Sequence, residues 1–89
     1  MLRTRLCELL SIEYPIIQGG LAYLARAELC AAVSEAGGLG QITAATLGSP
    51  EELREEIRKV RALTRKPFGV NFAMGYRSLE PYIDAALEE

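Results

Sequence analysis

Two rhythms of apolar residues run along this chain, a helical period of about 3.6 and short unbroken apolar runs. Residues 4–10 place Leu6, Leu9 and Leu10 on one side of a short helix. Tyr14-Pro15 stops it, because proline cannot continue a helix and pushes its predecessor into extended geometry. Residues 15–18 form an apolar run suited to a strand buried on both faces, ended by Gly19-Gly20. Residues 25–36 return to the helical period, with Leu29, Ala32, Val33 and Ala36 as one apolar stripe and Arg26, Glu28 and Glu35 off it. Gly37-Gly38 supplies a stop where a left-handed residue is needed, and residues 39–43 read as a second buried strand before a loop over 44–48.

The next helix is the best specified. Ser49 is a natural N-cap, Pro50 suits the first helical position, and Glu52 completes a capping box. Leu53, Ile57, Val60 and Leu63 mark its apolar stripe, Glu51, Glu55 and Lys59 its wet side, and Arg65 and Lys66 its negative end. Lys66-Pro67 ends it, residues 68–72 form a third strand, and Ser78 caps a last helix over 79–88 that tolerates Pro81 in its first turn. The order is a leading helix and then strand–helix three times, which predicts parallel strands joined by right-handed crossovers. No linker or low-complexity stretch divides residues 1–89, so they read as one α/β domain or part of one.

Composition narrows the function classes. The 89 residues are 49% hydrophobic and 25% charged, with 10 basic and 12 acidic side chains for a net charge of -2. That balance argues against a phosphate-tracking basic patch and hence against nucleic acid as a partner. No apolar run approaches the roughly 20 residues that span a bilayer, and residues 1–13 lack the apolar core and cleavage site of a leader. A cytoplasmic protein is expected, with Cys7 and Cys30 reduced and buried, since they lie far apart in apolar helical patterns. The chain has no histidine, which removes the commonest general base and metal ligand, so neither a catalytic residue nor a metal site is assigned.

Three motifs carry chemistry or resemble ones that do. Gly37-Gly38-Leu39-Gly40 has the look of a dinucleotide-binding loop, but it ends a helix and opens a strand, the reverse of the required order, and Thr43 stands where a third glycine belongs. A helix stop with close helix–strand packing explains it better. Gln18-Gly19-Gly20-Leu21-Ala22 follows the first strand, where parallel α/β folds bind ligands, and its glycines let backbone approach a planar group; the alternative is a plain turn. Asn71 is a lone amide in an apolar strand, near its C-terminal end, and Thr43 takes the equivalent place on the second strand. A buried amide must be hydrogen-bonded or it costs about 1–3 kcal/mol, so Asn71 meets either neighbouring backbone or a ligand. The charges over residues 51–58 read as a solvated helix face, and Tyr76 and Arg77 as rim residues within reach of a substrate.

Taken in order, Leu6-Cys7-Glu8-Leu9-Leu10, Tyr14-Pro15-Ile16-Ile17-Gln18-Gly19-Gly20, Ala36-Gly37-Gly38-Leu39-Gly40, Pro50-Glu51-Glu52-Leu53 and Lys66-Pro67-Phe68-Gly69-Val70-Asn71 resemble the opening of the nitronate monooxygenase (2-nitropropane dioxygenase) family. The resemblance implies the N-terminal (βα)3 portion of a TIM-type (β/α)8 barrel that holds FMN at its strand ends. It implies an oxidoreductase that oxidises alkyl nitronates with oxygen or, in the family's flavin-dependent enoyl-acyl-carrier-protein reductases, reduces an enoyl thioester. It maps cofactor contacts onto Gly19, Gly20, Leu21, Ala22 and Asn71, with Leu21 in place of the family's usual methionine. It also puts the phosphate-binding loops and the catalytic histidine beyond these residues, since a full barrel takes about 250. Three strands of such a barrel leave edges and an inner face uncovered. The expectation is therefore a chain that is not an active monomer alone, completed by the rest of the barrel or by self-association; the rival is a non-catalytic α/β piece.

Overall fold

Thr4 opens the first helix. Its hydroxyl accepts a hydrogen bond from the Cys7 N–H at 3.4 Å, and α1 (Arg5–Leu10) closes on Ser11 in the left-handed conformation. This computed structural model describes residues 2–73 and 78–89, so Tyr76 and Arg77 lie outside the described residues. After α1 come α2 (Ala27–Glu35), β1 (Gly40–Thr43), α3 (Pro50–Leu63), β2 (Phe68–Asn71) and α4 (Glu80–Glu88), with a single 3-10 turn at Ala44–Thr46 inside the expected loop. β1 and β2 pair in parallel, Gly40 opposite Phe68 and Thr43 opposite Asn71.

The expected first strand is reduced to one bridge, Ile17 to Leu39. Only one neighbour is available to it, and that neighbour accepts little backbone. Leu39 exchanges two bonds with this segment (to the Ile16 carbonyl at 2.9 Å and from the Gln18 N–H at 3.0 Å), whereas the Thr43 N–H turns instead to the Ala25 carbonyl at 2.9 Å. Ile16 and Ile17 consequently remain exposed, at 61% and 43%.

The buried face of α2 also differs from the expected stripe. Ala27, Cys30, Ala31 and Ser34 point inward, Leu29 and Val33 are half-buried, and Ala32 and Ala36 are exposed. Side-chain size decides this rather than hydrophobicity. A Cβ added at Gly40 would stand 2.0 Å from the Cys30 carbonyl oxygen, so helix and strand backbones are in contact, and only small side chains fit between them. The same contact accounts for Gly40 in the glycine-rich stretch. Gly37 has φ +108° and gives the helix its left-handed stop, its N–H donating to Ser34 and that of Gly38 to Val33. Geometry thus matches the packing account of this motif.

α3 begins as expected, with the Ser49 hydroxyl accepting from Glu52 N–H at 3.2 Å. The Glu52 carboxylate returns to Gly48 N–H at 2.6 Å, one residue before the cap, instead of to Ser49 itself. Leu53, Ile57 and Val60 are buried, and Leu63 is not, being 54% exposed. α4 starts one residue later than expected; Leu79 takes the cap position and no side chain caps it, so Ser78 does not play that part. Tyr82 and Ala85 of α4 are buried, the Tyr82 hydroxyl donating to the Leu47 carbonyl at 3.4 Å. The core lies between β1 and the helices and centres on Ile42, Leu47, Leu53 and Val60. Cys7 and Cys30 are both unpaired and buried. Among the described residues no helix is long and apolar enough to cross a membrane, and no three metal-ligating side chains cluster.

Candidate cofactor site at the strand ends

Three chain segments meet where β1 and β2 end. Thr43 and Asn71 are register partners at the last position of each strand, and the turn after Gln18 passes directly over them. A Cβ placed on Gly20 would lie 2.9 Å from Asn71 Oδ1 and 3.2 Å from Thr43 Oγ1, so only glycine admits this approach undisturbed. The Leu21 N–H donates to Thr43 Oγ1 at 2.9 Å, which pins the turn to β1. Thr43, nearly buried at 6% exposure, is thus a built part of the rim.

Of the residues singled out in the sequence, Gly20, Leu21 and Asn71 are brought together with Thr43. Gly19 and Ala22 flank them on the exposed side, and an added Cβ at Gly19 would meet nothing within 4 Å. Among the described residues the N–H groups of Gly19, Gly20 and Ala22 donate to no protein acceptor. The rim therefore offers uncommitted backbone donors, a carboxamide able to donate and accept, and space beside a glycine. That set suits the edge of a planar, uncharged heteroaromatic ring. No lysine or arginine lies between Gly19 and Ala25, so the turn itself brings no cationic side chain to the rim.

Two side chains contribute that motif reading passed over. Gln18 lays its carboxamide against β1, Oε1 accepting from Gln41 N–H at 3.1 Å and Nε2 donating to the Gln41 carbonyl at 3.2 Å. Glu56 corrects the solvated reading of the charges over residues 51–58. It is 5% exposed, and its Oε2 accepts from the Ala27 N–H at 2.9 Å, the first residue of α2, while Lys59 pairs with Oε1 at 3.1 Å. A helix N-terminus has N–H groups with no partner inside the helix, and a carboxylate from the neighbouring helix satisfies one of them. The signal was present in the spacing, since position 56 lies three residues after Leu53 and four before Val60, on the buried stripe. Gln18 opens the motif that marks the turn, but nothing in the sequence shows that its side chain bonds to Gln41.

The nitronate monooxygenase family model matches residues 3–88, almost the entire chain. The chain belongs to the nitronate monooxygenase family. A probable nitronate monooxygenase from Staphylococcus haemolyticus is 51% identical over 67 residues, which are 75% of this chain and 18% of that protein. A 5-hydroxy-7a-methyl-1-oxo-octahydro-1H-indene-4-carboxyl-CoA dehydrogenase from Mycobacterium tuberculosis is 50% identical over 70 residues, 79% of this chain and 19% of that protein. Among solved structures, FabK from Thermotoga maritima superposes with a TM-score of 0.92 at 42% identity, covering 99% of this chain and 28% of FabK. The matched residues thus span between 18% and 28% of the length of these relatives. It is the N-terminal α/β portion of the family's (β/α)8 barrel, and the family is one of enzymes.

Proposed function

We propose that residues 1–89, a single partial domain, form one wall of an FMN site in a cytoplasmic barrel oxidoreductase that oxidises alkyl nitronates with oxygen. The observation that carries this reading is the convergence of Gly20, Thr43 and Asn71, where a Cβ on Gly20 would come within 2.9 Å of the Asn71 amide. Bound FMN would supply the redox step, taking electrons from the substrate and returning them to oxygen. The part of this chain is to position. Gly19, Gly20 and Ala22 present backbone N–H groups, Leu21 holds the turn to Thr43 and shapes its face, and Asn71 fixes the edge of the ring. No residue here receives a proton-transfer role, since the chain has no histidine and the rim carries no titratable side chain among these contacts. A phosphate anchor is likewise left to later strands.

A second reading keeps the cofactor and changes the substrate to an enoyl thioester reduced at the expense of NAD(P)H. It is favoured by the carboxyl-CoA compound on which the Mycobacterium tuberculosis dehydrogenase acts and by the superposition on FabK.

The test of the cofactor assignment is a chimera in which this chain replaces the matching segment of Thermotoga maritima FabK. The expected product is yellow and releases FMN on denaturation; a folded, colourless barrel would refute the assignment. For substrate, protein carrying its complete barrel is offered a nitronate under oxygen and, separately, an enoyl thioester with NAD(P)H. Oxygen uptake with the nitronate alone supports the first reading, and pyridine-nucleotide oxidation dependent on the thioester supports the second.

A further inference from the structure

The two hydrogen bonds of the Gln18 side chain occupy a definite place in the sheet. In a parallel ladder the bonds from a strand go alternately to and from every second residue of its neighbour. The Leu39 N–H donates to Ile16 and the Leu39 carbonyl accepts from the Gln18 N–H. The next rung would run from the Gln41 N–H to the Gln18 carbonyl and from the Gly20 N–H to the Gln41 carbonyl. Neither backbone bond forms. Gln18 Oε1 takes the Gln41 N–H at 3.1 Å and Gln18 Nε2 serves the Gln41 carbonyl at 3.2 Å. One carboxamide thus replaces a full rung, and the Gly20 N–H that would have closed it is left without an acceptor among the described residues.

We infer that Gln18 is a positioning residue, which ends the first strand by mimicking its backbone and so frees the Gly20 N–H for a ligand at the rim. The inference rests on the cofactor reading above for the identity of that ligand, but the strap itself is independent of it. The chemistry explains why this position needs both a donor and an acceptor on one short planar group. Leucine would supply neither, and a carboxylate would supply only the acceptor. The Nε2 also lies against the Gly19 carbonyl, so the same amide steadies the next peptide of the turn. Were the rung made by backbone, the turn would start two residues later, and Gly20 could not pass over Asn71 and Thr43.

The test uses Gln18→Leu and Gln18→Glu in the full chain, carried in a barrel completed by the remaining strands of FabK. Backbone amide exchange without FMN is read first. The Gly20 amide is expected to exchange fast in the parent and to slow at least tenfold in Gln18→Leu, as the backbone closes the vacant rung. A slow Gly20 amide in the parent, or unchanged exchange in the variant, would overturn the strap. FMN is then titrated. It should protect the Gly20 amide in the parent and bind about tenfold more weakly to Gln18→Leu, the loss expected for one hydrogen bond. Gln18→Glu should recover affinity as the pH falls and its carboxyl gains the missing donor proton, with the flavin absorption band returning to its parental position. Equal FMN affinity in parent and a folded Gln18→Leu would overturn the positioning role. Failure of FMN to bind the parent at all would sink the cofactor reading instead, and amide exchange would still judge the strap. If Gln18→Leu does not fold, the pH dependence of Gln18→Glu answers the same question.

Discussion

Around α2 and α3, polar groups at the helix ends find partners within the chain: Ser49 serves Glu52, Glu52 serves Gly48, Glu56 serves Ala27 and Ser34 serves Gly40. At the ends of the strands the opposite holds. Among the described residues the amides of Gly19, Gly20 and Ala22 have no protein acceptor, and the four residues of β2 are only half-buried. Apolar side chains follow the same division. Leu53 and Val60 are fully buried in the helical layer, while Tyr23 and Leu24 beside the rim are more than 70% exposed. The outer layer consumes most of its bonding capacity internally, the buried Arg26 Nε at the start of α2 being an exception, and the rim keeps its own for something else. Substitutions in the two regions should therefore separate stability from ligand affinity.

The largest effect is expected at Gly40. An alanine Cβ there would collide with the Cys30 carbonyl oxygen, carbonyl carbon and Cα, all backbone atoms that cannot rotate aside. Overpacking against fixed atoms typically costs 1–3 kcal/mol and occasionally more, and a contact this short belongs at the upper end. Gly40→Ala should cost about 3 kcal/mol or more, measured by urea denaturation of a barrel containing this chain. A loss below about 1 kcal/mol would show that α2 can lift off β1, and that the outer layer is not closed.

Glu56 comes next. Glu56→Ala leaves the buried Ala27 N–H without an acceptor, for an expected loss of about 1–3 kcal/mol. Glu56→Gln keeps an acceptor and gives up only the charge and the Lys59 pair, so it should recover most of that loss. Both should leave FMN affinity unchanged in the protein that remains folded. An affinity change larger than the stability change would move Glu56 from the outer layer to the rim.

How much of this was legible in the sequence depends on which interactions are local. The cap at Ser49 and the stop at Gly37 act within a few residues and stand where the sequence puts them, whereas Thr4 caps the first helix instead of joining it and α3 ends at Leu63, before Arg65, Lys66 and Pro67. Gly20 and Asn71 stand out in the sequence because they follow or close expected strands, where parallel α/β folds bind ligands, and the structure brings the two together with Thr43. The inward face of α2 was misread because hydrophobicity selects Leu29 and Val33, whereas the contact at Gly40 selects for small size, which is a property of another segment. The first strand was overestimated because an apolar run shows that burial is wanted, not that a partner is present to pair with. The Gln18 strap was invisible, because nothing in a glutamine distinguishes an amide facing water from one replacing a rung 23 residues away.

At the rim, Gly20→Ala should show the reverse of Gly40→Ala. The atoms it meets belong to the Asn71 and Thr43 side chains, which can yield by rotation, and Gly20 does not have a positive φ. Stability should change by less than about 1 kcal/mol, near the range of ordinary surface substitutions. FMN affinity should fall about tenfold, because the displaced Asn71 amide and the new methyl both intrude on the ring edge. Comparable losses in stability at Gly20 and Gly40 would erase the division between the two regions.

The smallest effect concerns acid. The Arg58 guanidinium donates to both Glu89 carboxylate oxygens, at 3.2 and 3.1 Å, and Arg54 adds a contact at 3.5 Å. Hydrogen bonding to Arg58, with the charges of Arg58 and Arg54, holds the Glu89 carboxyl below its ordinary value of 4.5. A carboxyl depressed on folding stabilises the folded state fully above that ordinary value, and the contribution is lost as the pH falls through the depressed one. Acidification below about pH 4.5 should therefore lower the melting temperature of the parent more than that of Glu89→Gln. The difference should be small and shrink in molar salt, since the Arg58 side chain is 61% exposed and such pairs are screened. The rim contacts contain no carboxylate, so Glu89→Gln should leave FMN affinity equal to that of the parent at every pH. A difference in affinity that follows the Glu89 titration would show that the α3–α4 edge communicates with the strand ends, and the two regions would then have to be treated as one.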